Sequence, residues 1–164
     1  MKLVTKTILL FALVMGVSAT TTAQPSLYVE GTHYDVIANP VRTSDPNKVE
    51  VTEIFWYGCP HCFAFEPLIN SWEEKLPSDV AFVRSPGMWN ATMEMHAQIY
   101  YAAEALGVTA DVHEVAFDEI HNRRNYLQTD DAVKALFVSE GVAEDDFDRA
   151  WQSFSVSSAV KRAG

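Results

Sequence analysis

The chain has 164 residues, enough for one ordinary domain, and with 48% apolar residues it can bury a core without disulfide staples. Its net charge of −10 opposes nucleic-acid binding, which needs basic surface to displace counterions. Beyond the N-terminal region no segment is long and apolar enough to span a bilayer.

In chain order, the first feature is an export signal expected over residues 1–23. Lys2 and Lys6 give a positive start, and Ile8 to Val17 form an apolar run too short to cross a membrane. Small residues follow at Ser18, Ala19 and Ala23, so cleavage is expected after Ala23, with Ala19 as the alternative. Removal of this segment leaves 10 basic against 22 acidic residues, a balance of −12. Most of those acids read as solvated faces.

Turns are expected at Asn39-Pro40 and at Ser44-Asp45-Pro46-Asn47, with a short edge strand from His33 to Ala38. Val49 to Tyr57 is the clearest strand, rich in β-branched and aromatic residues, and Gly58 breaks it. One face carries Val49, Val51, Glu53, Phe55 and Tyr57. A helix is expected from Cys59 to about Leu76, with Pro60 in its first turn and a kink or break at Pro67. Asp79 to Ser85 reads as a second strand, ended by Pro86-Gly87.

The rest is helical. Asn90 or Thr92 caps a helix ending at Gly107, Thr109 opens another to about Asn122, and Thr129 opens a third ending at Gly141. A fourth covers Ala143 to Phe154, and Ser157 caps a short fifth. The sum is an α/β chain: a small mixed sheet of three strands with helices packed beside it.

Both cysteines lie in Cys59-Pro60-His61-Cys62. A disulfide closing so short a loop stabilises by only about 2 kcal/mol in the chain-entropy model, so reactivity explains the pair better than stapling does. At a helix N-terminus, Cys59 faces free N–H groups and the positive end of the helix dipole, which favour its thiolate; a protonated His61 adds to this. Cys62, one turn in, is the resolving thiol. The competing readings are an inert bridge and half of a zinc site, though His113 and His121 are spaced too widely for the usual zinc ligand pair.

The run Glu53-Ile54-Phe55-Trp56-Tyr57-Gly58-Cys59-Pro60-His61-Cys62-Phe63-Ala64-Phe65-Glu66 resembles the active-site region of the DsbA family of periplasmic disulfide oxidases. The likeness extends from about Tyr28 through Phe82-Val83-Arg84 and the helical part. It implies a thioredoxin-like fold with an inserted helical domain, incomplete at the C-terminus because the family's cis-proline loop, hairpin and last helix are expected after residue 164. The implied division is a thioredoxin-like part over 24–87, a helical domain over 88–156, and a returning helix from 157.

The resemblance also implies the activity: disulfide transfer to reduced exported proteins in the periplasm. The protein would be a monomer without cofactor or metal, reoxidised by a quinone-linked membrane oxidase of the DsbB type. Pro60 and His61 tune the cysteines in this reading. Glu53, on an otherwise apolar face, is expected to be desolvated, with its pKa raised, and to exchange protons with Cys62, with a strand-end acid that reaches water as the alternative. Glu66 matches a second family acid on the helix face of Cys62, with an ordinary solvated position as the alternative.

Met88 and Trp89 are candidates for contacting unfolded chains. Phe55, Phe82 and Trp72 are expected in the core, and His96, His113 and His121 as plain helix residues. The rival functions are an isomerase or reductase of the same compartment, and a non-catalytic chaperone or metal-binding module.

Overall fold

A computed structural model describes residues 27–164. The signal expected over residues 1–23 lies outside the described residues. The chain divides into two units, one ending at Val41 and the other covering Arg42–Gly164.

In the described part of the first unit, Gly31 turns the chain at φ +77° and its N–H donates to the Tyr34 carbonyl at 2.8 Å. The edge strand expected from His33 to Ala38 does not form. Its only ladder feature is an isolated bridge between Glu30 and Tyr34, because the turn at residues 31–33 takes up the local hydrogen bonds.

The second unit holds a two-stranded parallel sheet instead of the three strands expected. Strand β1 (Val49–Phe55) pairs with β2 (Val80–Pro86) in register from Val49↔Val80 to Phe55↔Pro86. A parallel pair needs a crossover, supplied by helix α1 (Pro60–Glu73). β1 stops at Phe55, two residues earlier than expected. There Gly87 N–H closes on the Phe55 carbonyl at 2.8 Å, and Trp56 already accepts from Cys59 N–H in a tight turn.

Helix α1 continues through Pro67, so the break expected as the alternative to a kink does not occur, and it ends at Glu73 rather than Leu76. Proline removes one N–H donor from the ladder, and the rest of the helix tolerates that loss. Four further long helices follow: α2 (Ala91–Leu106), α3 (Thr109–His121), α4 (Asp130–Ser139) and α6 (Phe154–Ala163), with the shorter α5 (Glu144–Trp151) between the last two.

Capping sets these boundaries. Asn90 Oδ1 accepts from Met93 N–H at 3.0 Å, which settles the choice between Asn90 and Thr92. Thr129 caps α4 through Ala132 N–H. Gly107 ends α2 in the left-handed region at φ +71°, where a side chain would be strained. Ser153, not Ser157, caps the last helix, its hydroxyl accepting from Val156 N–H at 3.2 Å, so α6 begins three residues before the expected cap.

Tyr100 and Ala103 on α2 and Val112, Ala116, Phe117 and Ile120 on α3, recurring at three- and four-residue steps, share one core with Leu136 and Phe137 on α4, Phe147 and Trp151 on α5 and Val156 on α6. Phe55 and Tyr57 enter this core from the end of β1 and are fully buried. Phe55 packs edge-on against Tyr100 and His113, and Tyr57 against Phe117. The strand end that leads to the cysteines is thereby anchored among the helices.

Of the other two expected core residues, Phe82 is half-buried, and Trp72 is 42% exposed. Trp72 meets Phe82 edge-on at 5.7 Å.

Candidate active site

Cys59 is the N-cap of α1, with φ −87° and ψ 115°, and Pro60 occupies the first helical position. The Cys59 sulfur thus sits where a capping oxygen would, and it accepts from Cys62 N–H at 3.5 Å. Both cysteines are free thiols, partly buried. His61 is exposed on the same turn.

The two sulfurs have opposite electrostatics. Burial works against a thiolate at Cys59, but the N–H and thiol of Cys62 and the N–H of His61 outweigh it, and the Cys59 pKa falls below the ordinary thiol value. For Cys62, burial dominates and a neighbouring Cys59 thiolate adds to it, pushing its pKa up to about 11. His61 thus contributes through its backbone N–H.

Beneath the helix start lies a group of charges. Glu53 on β1 is directly opposite Arg84 on β2, and Arg84 Nε donates to Glu53 Oε2 at 3.1 Å. The same guanidinium donates to Asn70 at 2.6 Å and to Glu73 at 3.1 Å, and lies 3.8 Å from Glu66. Glu53 and Glu66 are both nearly buried, at 9% and 12% side-chain exposure, so Glu66 is not a solvated helix position.

Desolvation, together with the negative charge of Glu66, raises the Glu53 pKa in spite of Arg84. Glu66 is desolvated too, but His113 and Arg84 draw its pKa below the ordinary value. His113 Nε2 and Glu66 Oε1 lie 3.4 Å apart without hydrogen-bond geometry, and neither atom has another partner among the described residues.

The three histidines expected to be plain helix residues hold the segment before the cysteines. His96 Nδ1 accepts from the Trp56 indole N–H at 2.9 Å, which leaves its proton on Nε2 to donate to the Tyr126 carbonyl at 3.0 Å. His113 Nδ1 meets the Tyr57 hydroxyl at 3.0 Å. His121 Nε2 donates to the Tyr57 carbonyl at 2.8 Å, and its ring stacks on Phe63 at 4.7 Å.

One signal for their role is present in the sequence. Each sits on an apolar helix stripe, and buried polar groups are nearly always hydrogen-bonded. Neither the partners nor the part played by Arg84 could be read from spacing.

A cavity of about 730 Å³ opens beside Pro60. Met88 and Trp89 do not line it; they border a second cavity of about 430 Å³ with Val160 and Lys161. Met88 is half-buried and Trp89 is 80% exposed. No cluster of three or more metal-ligating side chains occurs among the described residues.

No family model matches the chain. It is 40% identical over 141 residues to the thiol:disulfide interchange protein DsbA of Pseudomonas aeruginosa, covering 86% of this chain and 67% of that protein. It is 36% identical over 163 residues to DsbA of Burkholderia cepacia, covering 99% and 76% respectively. Among solved structures, Pseudomonas aeruginosa DsbA superposes with a TM-score of 0.72 at 40% identity, over 77% of this chain and 66% of that one. Reduced DsbA1 of Neisseria meningitidis gives 0.65 at 26% identity, over 85% and 74%.

Proposed function

This chain belongs to the DsbA family of thiol:disulfide interchange proteins, and we propose that it oxidises dithiols of exported proteins through Cys59 and Cys62. Its fold is the α/β, thioredoxin-like one with a helical insertion. We assign residues 24–87 to the thioredoxin-like part and 88–156 to the insertion, with export to the periplasm directed by residues 1–23.

The observation that carries the assignment is the asymmetry of the two sulfurs: Cys59 is capped and its thiolate stabilised, while Cys62 is covered and its pKa pushed up to about 11. In the oxidised protein a substrate thiolate attacks the Cys59 sulfur. The bond to Cys62 breaks, and Cys62 leaves with the electron pair and takes up a proton. The second substrate thiolate then attacks the substrate sulfur of the mixed disulfide and expels Cys59. The substrate gains a disulfide and the protein holds two thiols.

A stabilised thiolate is a good leaving group, so the second step runs toward substrate oxidation. A thiol with a high pKa needs a proton when it departs. In this reading Glu53 gives one, which its raised pKa and the action of its charge on Cys62 support. Reoxidation by a quinone-linked membrane partner of the DsbB type closes the cycle, and the protein works as a monomer.

The test is single-turnover oxidation of a reduced two-cysteine peptide. The oxidised unsubstituted protein should convert it; Cys62→Ser, offered the oxidised form of the same peptide, should hold it as a mixed disulfide on Cys59, releasing the peptide's other sulfur as a thiol, and Cys59→Ser should do neither. Capture of the oxidised peptide on Cys62 by Cys59→Ser, as fast as Cys62→Ser captures it on Cys59, would overturn the assignment.

A further inference from the structure

The segment between α3 and α4 places two adjacent arginines in different roles. Arg123 is taken up by acids of α3: Nε lies 2.8 Å from Asp118 and Nη1 2.8 Å from Glu119. Arg124 follows at φ +61°, a conformation uncommon for a residue with a side chain. It has no ion pair or side-chain hydrogen bond among the described residues, and it lines the cavity beside Pro60.

The connection is held in that shape. Asn125 N–H donates to the Glu119 carbonyl at 2.9 Å, and its side chain donates to Glu119 Oε2 at 2.8 Å. The Tyr126 carbonyl is fixed by His96, and Leu127, also at positive φ, is fully buried. A non-glycine backbone kept in the left-handed region at two positions has a conformational cost that the surrounding contacts must offset.

The cavity has aromatic and aliphatic walls in Trp56, Tyr126 and Ile120, and its mouth reaches Gly58 and Pro60 on either side of Cys59. Its volume of about 730 Å³ is ample for a side chain with its flanking backbone. Gly58 sets its shape: a Cβ there would overlap the Trp56 ring. In a protein of net charge −10, an unpartnered guanidinium at this place reverses the local sign.

We propose that this cavity is a substrate subsite that takes an acidic side chain flanking the reacting cysteine of a polypeptide, with Arg124 as its charge partner and Trp56 and Tyr126 packing along its stem. The inference rests on the exchange reading above, because it is Cys59 that brings the polypeptide here. A cysteine bound to Cys59 carries its neighbours past Pro60, and each residue of extended chain spans about 3.3 Å, so only the nearest few positions can reach the cavity. The subsite therefore selects on local sequence and leaves distant sequence unread.

The test uses the full chain and pairs of short peptides that carry Glu or Gln within three residues of the reacting position. Serine replaces cysteine in one set, so that binding is read by calorimetry without chemistry. For at least one position, Glu should bind about two- to fivefold more tightly than Gln, as one exposed to half-exposed ion pair allows. The preference should vanish in Arg124→Gln, reverse in Arg124→Glu and persist in Arg123→Gln.

Absence of any Glu preference or of measurable binding in the unsubstituted protein, or a preference that survives Arg124→Gln, would overturn the proposal. The cysteine-containing set, assayed in parallel, separates the two readings. A failure to oxidise any peptide strikes at the exchange function and leaves the binding result to decide the subsite.

Discussion

Glu53 and Arg84 are register partners across the two parallel strands, and the guanidinium of one reaches the carboxylate of the other at 3.1 Å. The sheet itself therefore aligns the cation with the acid beneath the cysteines. Arg84→Met should lower stability by about 2–4 kcal/mol, because it leaves nearly buried Glu53 and Glu66 without their shared cation. Urea denaturation checks this, and Glu53→Gln in the Arg84→Met background should recover part of the loss. The contact of Arg84 with half-exposed Glu73 adds little to it.

Glu53 also predicts a pH dependence. Its folded pKa is raised above 4.5, so the folded state holds a proton that the unfolded state releases, and stability declines as pH rises through the raised value. Glu53→Gln lacks this term. The stability of the Gln variant relative to the unsubstituted protein should therefore increase as pH rises from about 4.5. Glu66→Gln should show the opposite trend, since a lowered pKa contributes stability above 4.5 that is lost on acidification. The Glu53 change lies above 4.5 and the Glu66 change below it, so denaturation midpoints collected on both sides of that value, with parallel curves for all three proteins, would contradict both statements.

Alkylation should discriminate between the thiols. With Cys59 held below the ordinary thiol value and Cys62 pushed to about 11, iodoacetamide at neutral pH should label Cys59 and leave Cys62 unmodified, as peptide mass mapping would show. His61→Ser keeps the backbone N–H that faces the Cys59 sulfur and removes the imidazole. Because that N–H is the His61 group that favours the thiolate, the Cys59 pKa should stay below the ordinary value and close to that of the unsubstituted protein. A titration by thiolate absorbance that moves clearly upward would show that the ring contributes as well.

His96 ties the Trp56 indole to the Tyr126 carbonyl. His96→Phe keeps a ring in the core but leaves both groups without their partner, so it should cost about 1–3 kcal/mol. Amide exchange should quicken over residues 122–128 more than the global loss accounts for. Equal acceleration throughout the helices would mean that the histidine only fills space.

Much of this arrangement was legible in the sequence because it is local. The β-branched run of β1, the cysteines at a helix start, the Asn90 and Thr129 caps and the stop at Gly107 each depend on a few adjacent residues. What was not legible depends on partners far along the chain. The edge strand at His33 had no ladder to join. Trp72 is a large apolar residue of the kind that fills cores, yet it stays 42% exposed beside Phe82. His113 and Arg84 are ordinary residues until folding brings them to Tyr57 and to Glu53 and Glu66. Ser153 displaced Ser157 as a cap because both are serines and only backbone geometry separates them.

The Cys59 sulfur is at once the atom that reacts and the group that closes the first turn of α1. Any bond it makes to another sulfur draws charge away from the helix N–H groups that it caps. Folding and electron transfer are thus two sides of one thermodynamic square: what the cap adds to the stability of the dithiol form must reappear as the ease with which the disulfide form gives up its bond. A melting experiment on the two forms would report on the chemistry without a substrate being present.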